Sequence, residues 1–185
     1  MTRHAAPNAP ALGEPQSGVR FAIDALIQAS LVDLCSAYGV ALAPLPRHTP
    51  APSAVPEVTA AVAFRGWGNT AGSLTLSLPS SLLNHMKNRE STSVRLDWAR
   101  ELTNQLIGRI KNRLLLFGVR LEIGAVTLVD PNAPRRPLHE GSTSRTYAGR
   151  TLRGLVLVTV QGLPKDLALT YVGGAAAVEG SVLWL

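Results

Sequence analysis

The spacing of apolar positions shifts repeatedly along this chain, and the shifts mark out its elements. From Val19 to Tyr38, the residues Phe21, Ile23, Leu26, Ile27, Leu31, Leu34 and Cys35 recur at helical intervals, with Gly39 as a stop. Residues 43–56 then carry Pro44, Pro46, Pro50, Pro52 and Pro56. This predicts a linker or an extended edge, because proline supplies no backbone donor. Val58–Phe64 reads as a strand and R-G-W-G-N-T-A-G (65–72) as a glycine-rich hairpin turn. S-L-T-L-S-L (73–78) alternates strictly, as a strand with one buried face does.

Pro79 opens a short helix over 79–89. A long helix is predicted from Ser93 or Arg95 to Phe117, closed by Gly118. Strands follow at 119–129 and 152–160, separated by a long polar loop at 130–146, and two more at 166–172 and 178–185. Residues 1–18, rich in Ala and Pro and without periodicity, read as a disordered tail, leaving 19–185 as a single domain. Strands outnumber helices, and one β–α–β passage is long enough for a parallel crossover. The expected class is α+β or mixed α/β, a mostly antiparallel sheet against one long and one or two shorter helices. G-N-T-A-G-S-L-T-L-S-L and G-R-T-L-R-G-L-V-L-V-T-V echo each other as glycine turn plus strand, a combination too common to establish a repeat.

Composition narrows the function. The chain has 185 residues, 46% hydrophobic and 16% charged, which fits one globular domain with a real core. There is no uninterrupted apolar run of about 18 residues, and the first residues lack a signal-peptide core, so a soluble cytoplasmic protein is expected. The single cysteine, Cys35, sits on the first predicted helix as a small buried hydrophobe. His4, His48, His85 and His139 are scattered, and no metal site is expected. The glycines at 66, 68 and 72 lead into a strand, whereas a phosphate loop needs a helix N-terminus there. The net charge of +6 suits an acidic protein partner better than nucleic acid, since only three each of Phe, Tyr and Trp are available for stacking.

One helix carries candidate chemistry. Along D-W-A-R-E-L-T-N-Q-L-I-G-R-I-K-N-R-L (97–114), Ala99, Leu102, Leu106, Ile107, Ile110 and Leu114 form one apolar stripe at 100° per residue. Asp97, Glu101, Asn104, Gly108 and Asn112 fall together on the opposite side. Glycine inside a helix costs about 1 kcal/mol relative to alanine. Its presence one turn past Asn104 leaves a notch where another surface could approach. An outward carboxylate can pair with a partner's lysine, and a carboxamide can hold a water by donating and accepting. Neither is a strong nucleophile, so positioning is the work they can do.

This helix resembles the signature helix of the bacterial chemotaxis phosphatases of the CheX and CheC type, with its E-x-x-N-x-x-x-G pattern. Glu101, Asn104 and Gly108 fill the three key positions and Leu114 the last. A-F-R-G-W-G-N-T-A-G-S-L-T-L-S-L-P (63–79) resembles the family's glycine-strand element. A single E-x-x-N helix and an N-terminal helix are more CheX-like than CheC-like, while G-A-V-T-L-V stands where the family's strand carries a proline.

The resemblance implies a phosphatase acting on the aspartyl phosphate of a CheY-like receiver domain. Asn104 would orient the attacking water, and Glu101 would pair with the receiver's lysine. Asp97, Arg100, Gly108 and Lys111 would lie in the partner-binding surface. Mg2+ would belong to the receiver, with no cofactor held by this chain. The family also forms dimers joined through sheet edges. The same resemblance admits a second expectation, a receiver-binding scaffold that keeps the fold without turnover.

Overall fold

The computed structural model describes residues 20–45, 57–66, 70–86, 91–130, 144–163 and 168–172. The tail at 1–18, most of the proline-rich segment, the greater part of the 130–146 loop and the strand expected at 178–185 lie outside the described residues.

Two neighbouring strands set the frame. β3 (Val58–Gly66) and β4 (Thr70–Leu78) pair antiparallel from Val58↔Leu78 to Gly66↔Thr70, as the glycine-turn hairpin predicts. The strict alternation of β4 sends Leu74, Leu76 and Leu78 to one face, where all three are buried with Val58, Ala60, Val62 and Phe64 of β3. The other face is polar. Thr59 Oγ1 donates to Ser77 Oγ at 3.1 Å, so even the buried hydroxyls there are satisfied.

β5 (Leu121–Val129), β6 (Ser144–Thr151), β7 (Gly154–Gln161) and the two-residue β2 (Ala43–Pro44) complete a sheet of order β2-β6-β7-β4-β3-β5. Every pairing in it is antiparallel. The passage expected to allow a parallel crossover runs from β4 to β5, which are parallel to each other because both pair antiparallel with β3 between them. β5 carries a register shift opposite Val62 and Phe64, beside Gly124. The two echoing strands, β4 and β7, are sheet neighbours, with Leu76 opposite Val158.

Among the described residues, three helices cover the apolar face: α1 (Ile23–Ala37), α2 (Ser80–Met86) and α3 (Thr92–Leu115). α1 buries Ile23, Leu26, Ile27, Leu31, Leu34 and Cys35, the stripe its periodicity predicts. It ends at Gly39, whose φ of 68° is open to glycine without strain, with Val40 N–H closing on the Cys35 carbonyl at 3.0 Å. α2 starts after Pro79, whose carbonyl accepts from the Leu82 and Leu83 N–H groups. Buried Leu82 and Leu83 dock this helix against the core.

Two expectations need correction. The first helix does not extend back to Val19. Arg20–Ala22 forms β1, paired antiparallel with β8 (Ala168–Thr170) in a separate two-stranded sheet. The backbone of that segment is satisfied by a strand from the far end of the chain, which helical periodicity cannot register.

The second correction concerns β6, which occupies the end of the segment read as loop and continues to Thr151, while β7 begins at Gly154 and not at Leu152. Leu152 and Arg153 form the intervening tight turn, held by Thr151 Oγ1, which accepts from Arg153 N–H at 3.1 Å and donates to the Gly154 carbonyl at 2.8 Å. β6 lacks an apolar alternation because polar side chains are satisfied across the layer. Asp24 on α1 accepts from Tyr147 Oη at 2.5 Å and from Arg145 Nη1 at 3.1 Å.

Candidate functional site on the outer face of α3

α3 runs 24 residues without a break and divides cleanly into two faces. Ala99, Leu102, Leu106, Ile107, Ile110 and Leu114 are buried against the sheet and α1, as the stripe requires. Thr103 is buried with them, a residue the apolar pattern passes over. Its hydroxyl donates to the Ala99 carbonyl at 2.8 Å, within its own helix, which makes its burial tolerable. A void of about 20 Å³ lies on this buried side, lined only by apolar groups including Ile107, Ile110 and Leu114. With no polar partner for a water, such a void stays dry and is no substrate site.

The outer face presents the residues singled out by spacing. Asp97, Glu101 and Asn104 are exposed, and Gly108 and Asn112 are half-exposed. At three residues apart, Glu101 and Asn104 have Cβ atoms roughly 5–6 Å from each other. One functional group on a partner can therefore meet both.

Their local environments differ. Glu101 is tethered: Gln105 Nε2 donates to its Oε1 at 2.8 Å. The Asn104 side chain makes no hydrogen bond to any described residue, so its carboxamide is open on both its donor and acceptor sides. Asp97 and Arg100 pair with each other at 2.5 Å, with side-chain exposures of 70% and 45%. At that exposure the pair contributes little stability. Its two charges largely cancel locally, which leaves Lys111 as a cation on this face with no ion pair among the described residues.

Gly108 is the informative position. A Cβ built on it meets no atom within 4 Å. At Gly72, by contrast, a Cβ would lie 2.3 Å from the ring of Phe64, so the chain's own packing demands that glycine. Nothing among the described residues demands the glycine at 108. Its missing side chain weakens the helix by about 1 kcal/mol with no compensation from the described residues. The face continues past Gly108 to Leu115, an apolar side chain left 37% exposed.

Gln105 and Tyr38 were not singled out by the sequence. Gln105 Oε1 accepts from Tyr38 Oη at 2.7 Å, across 67 positions of chain. Its neighbour relation to Glu101 is legible in the i,i+4 spacing. Tyr38 carries no local signal, because its proximity follows from the docking of α1 on α3. Among the described residues no group of three His, Cys, Asp or Glu comes together as a metal site, and no helix is long and apolar enough to cross a membrane. Cys35 is buried, which pushes its thiol up to about 11 and makes it a poor nucleophile.

Solved structures with this architecture include chemotaxis proteins. A CheC-like superfamily protein from Shewanella sp. PV-4 matches with a TM-score of 0.63 at 18% identity, over 75% of this chain and 96% of that one. CheX from Vibrio vulnificus matches with a TM-score of 0.63 at 17% identity, over 78% and 99%. A Borrelia burgdorferi CheX, solved in complex with CheY, BeF3 and Mg2+, matches at 0.58 and 10% identity, over 76% and 97%. No protein-family model matches the sequence, and a search of curated proteins finds no match. The fold is CheC/CheX-like, as the helix motif led one to expect.

Proposed function

We propose that this protein is a response-regulator phosphatase that hydrolyses the aspartyl phosphate of a CheY-like receiver domain, using the outer face of α3. The observation that supports this most is the pairing of an open Asn104 with a tethered Glu101, one turn before a glycine that no described residue requires. A fold neighbour solved in complex with CheY, BeF3 and Mg2+ supports a receiver as the partner.

The chemistry asks for little beyond placement. A water oxygen attacks phosphorus as the bond from phosphorus to the aspartyl oxygen breaks. The aspartate leaves as a carboxylate, and the water's proton ends on phosphate or solvent. Charge on the transferring group is stabilised by the receiver's own Mg2+, so this chain's part is to fix the water in line. The Asn104 amide suits that task, since its oxygen accepts from the water while its nitrogen donates. Holding a nucleophile in line replaces a costly encounter with a pre-set geometry. Glu101, with one oxygen already held by Gln105, offers the other to an ammonium group of the receiver. The notch at Gly108 lets the helix backbone approach a recessed phosphate. Lys111 adds attraction toward an acidic surface.

The test is direct. A phosphorylated receiver with Mg2+ is mixed with wild type, Asn104→Ala and Glu101→Ala, and loss of phosphate is followed. Wild type should outpace the receiver's own decay, and both variants should lose most of that gain. Should wild type bind the phosphorylated receiver without speeding its decay, the scaffold reading replaces this one. Should it do neither with any receiver encoded beside it, both readings fall.

A further inference from the structure

We propose that Gln105 and Tyr38 are positioning residues that hold Glu101 in a single docking-competent rotamer. Their consequence for turnover rests on the phosphatase reading above, but the positioning itself does not.

The hydrogen-bond chain has one self-consistent orientation. Gln105 turns its NH2 toward Glu101, donating from Nε2 to Oε1 at 2.8 Å. That leaves the Gln105 carbonyl oxygen facing the other way, where Tyr38 Oη donates at 2.7 Å. A hydroxyl that donates there selects the amide orientation that serves Glu101. Without it, the amide could turn over and set its oxygen against the carboxylate.

Tyr38 is itself fixed. Its N–H closes on the Cys35 carbonyl at 3.1 Å at the end of α1, and its ring meets Trp98 edge-on at 5.4 Å and 82°. α1 is held to α3 by Arg113, which bonds Asp33 and donates to Ser30 Oγ at 3.2 Å. The rigidity of the helix pair is thereby transmitted through two side chains to an exposed carboxylate. An exposed Glu on a helix ordinarily samples several rotamers and loses that freedom on binding. A pre-set rotamer removes part of that entropic cost from docking.

Two independent measurements test this. The first reads rotamers: three-bond NMR couplings of the Glu101 side chain should report one dominant rotamer in wild type. They should be averaged in Tyr38→Phe, which keeps the ring against Trp98, and in Gln105→Leu. Averaged couplings in wild type, or unchanged couplings in both variants, overturn the proposal whatever the enzymology. The second reads turnover of a phosphorylated receiver. Tyr38→Phe should raise KM about 5-fold with kcat nearly unchanged, the loss of one hydrogen bond's worth of docking. In a Glu101→Ala background the same substitution should do nothing more. An equal fold-loss in both backgrounds would mean that Tyr38 supports the fold and not Glu101. If wild type shows no turnover, the phosphatase reading fails while the coupling measurement still decides the positioning.

Discussion

Arg113 on α3 reaches across to Asp33 on α1 and forms an ion pair with it, and the same guanidinium donates to Ser30 Oγ. This contact bridges the two helices beside the apolar packing of their buried faces. Five residues beyond Asp33, the chain delivers Tyr38 to the flank of the candidate site. The pair is partly exposed, so its direct contribution to stability is small. It joins the same two elements whose packing brings Tyr38, just past the end of α1, beside Gln105 on α3.

Asn104→Ala should leave the fold intact, since the side chain is exposed and bonds to no described residue. Alanine is also the better helix former. Turnover of a phosphorylated receiver should fall by roughly 10²-fold, the scale of a lost positioning contact, while binding of the receiver changes little. Single-turnover phosphate release beside a binding isotherm separates the two effects. A parallel loss of both would assign Asn104 to docking.

Gly108→Ala is expected to move stability and activity in opposite directions. With open space around the built Cβ, the substitution should stabilise the protein by about 0.5–1 kcal/mol. The methyl group should also hold a partner's surface away and raise KM. Thermal melts and receiver titrations on the same sample check both halves. A stabilised variant with unaltered KM would show that no partner uses the notch.

Cys35 gives a pH signature. Burial raises its folded pKa to about 11, above the ordinary thiol value of about 8.5. The folded state then binds more protons than the unfolded state between those values, so stability should decline as pH rises from about 9 to 11. The thiol's share of that decline is on the order of 2–3 kcal/mol. Chemical denaturation of wild type against Cys35→Ala at pH 7 and pH 11 isolates it. An equal pH dependence in the two proteins would refute a buried neutral thiol.

Asp24→Ala should destabilise the protein by about 2 kcal/mol, because it removes the acceptor shared by Tyr147 and Arg145 beneath β6. Receiver turnover per folded molecule should be unchanged, since Asp24 contacts β6 and not the outer face of α3. Denaturant midpoints and specific activity, measured together, check the separation.

Local periodicity carried much of this protein into view. Backbone geometry repeats every two residues in a strand and every 3.6 in a helix. Burial of one side therefore writes Leu74, Leu76 and Leu78, or Leu102, Leu106 and Ile110, directly into the chain. The same arithmetic puts Glu101, Asn104 and Gly108 on one outward face. What it could not supply depends on residues distant in sequence. β1 exists because β8 pairs with it, and β6 is a strand because β7 pairs along its whole length, while Asp24 satisfies its inward Arg145 and Tyr147. Tyr38 meets Gln105 across 67 residues. The open space around Gly108, which turns an unfavourable helix residue into evidence for a partner, is likewise a property of the folded surface. Periodicity records which side of an element is buried. Only the tertiary structure decides what each exposed side has beside it.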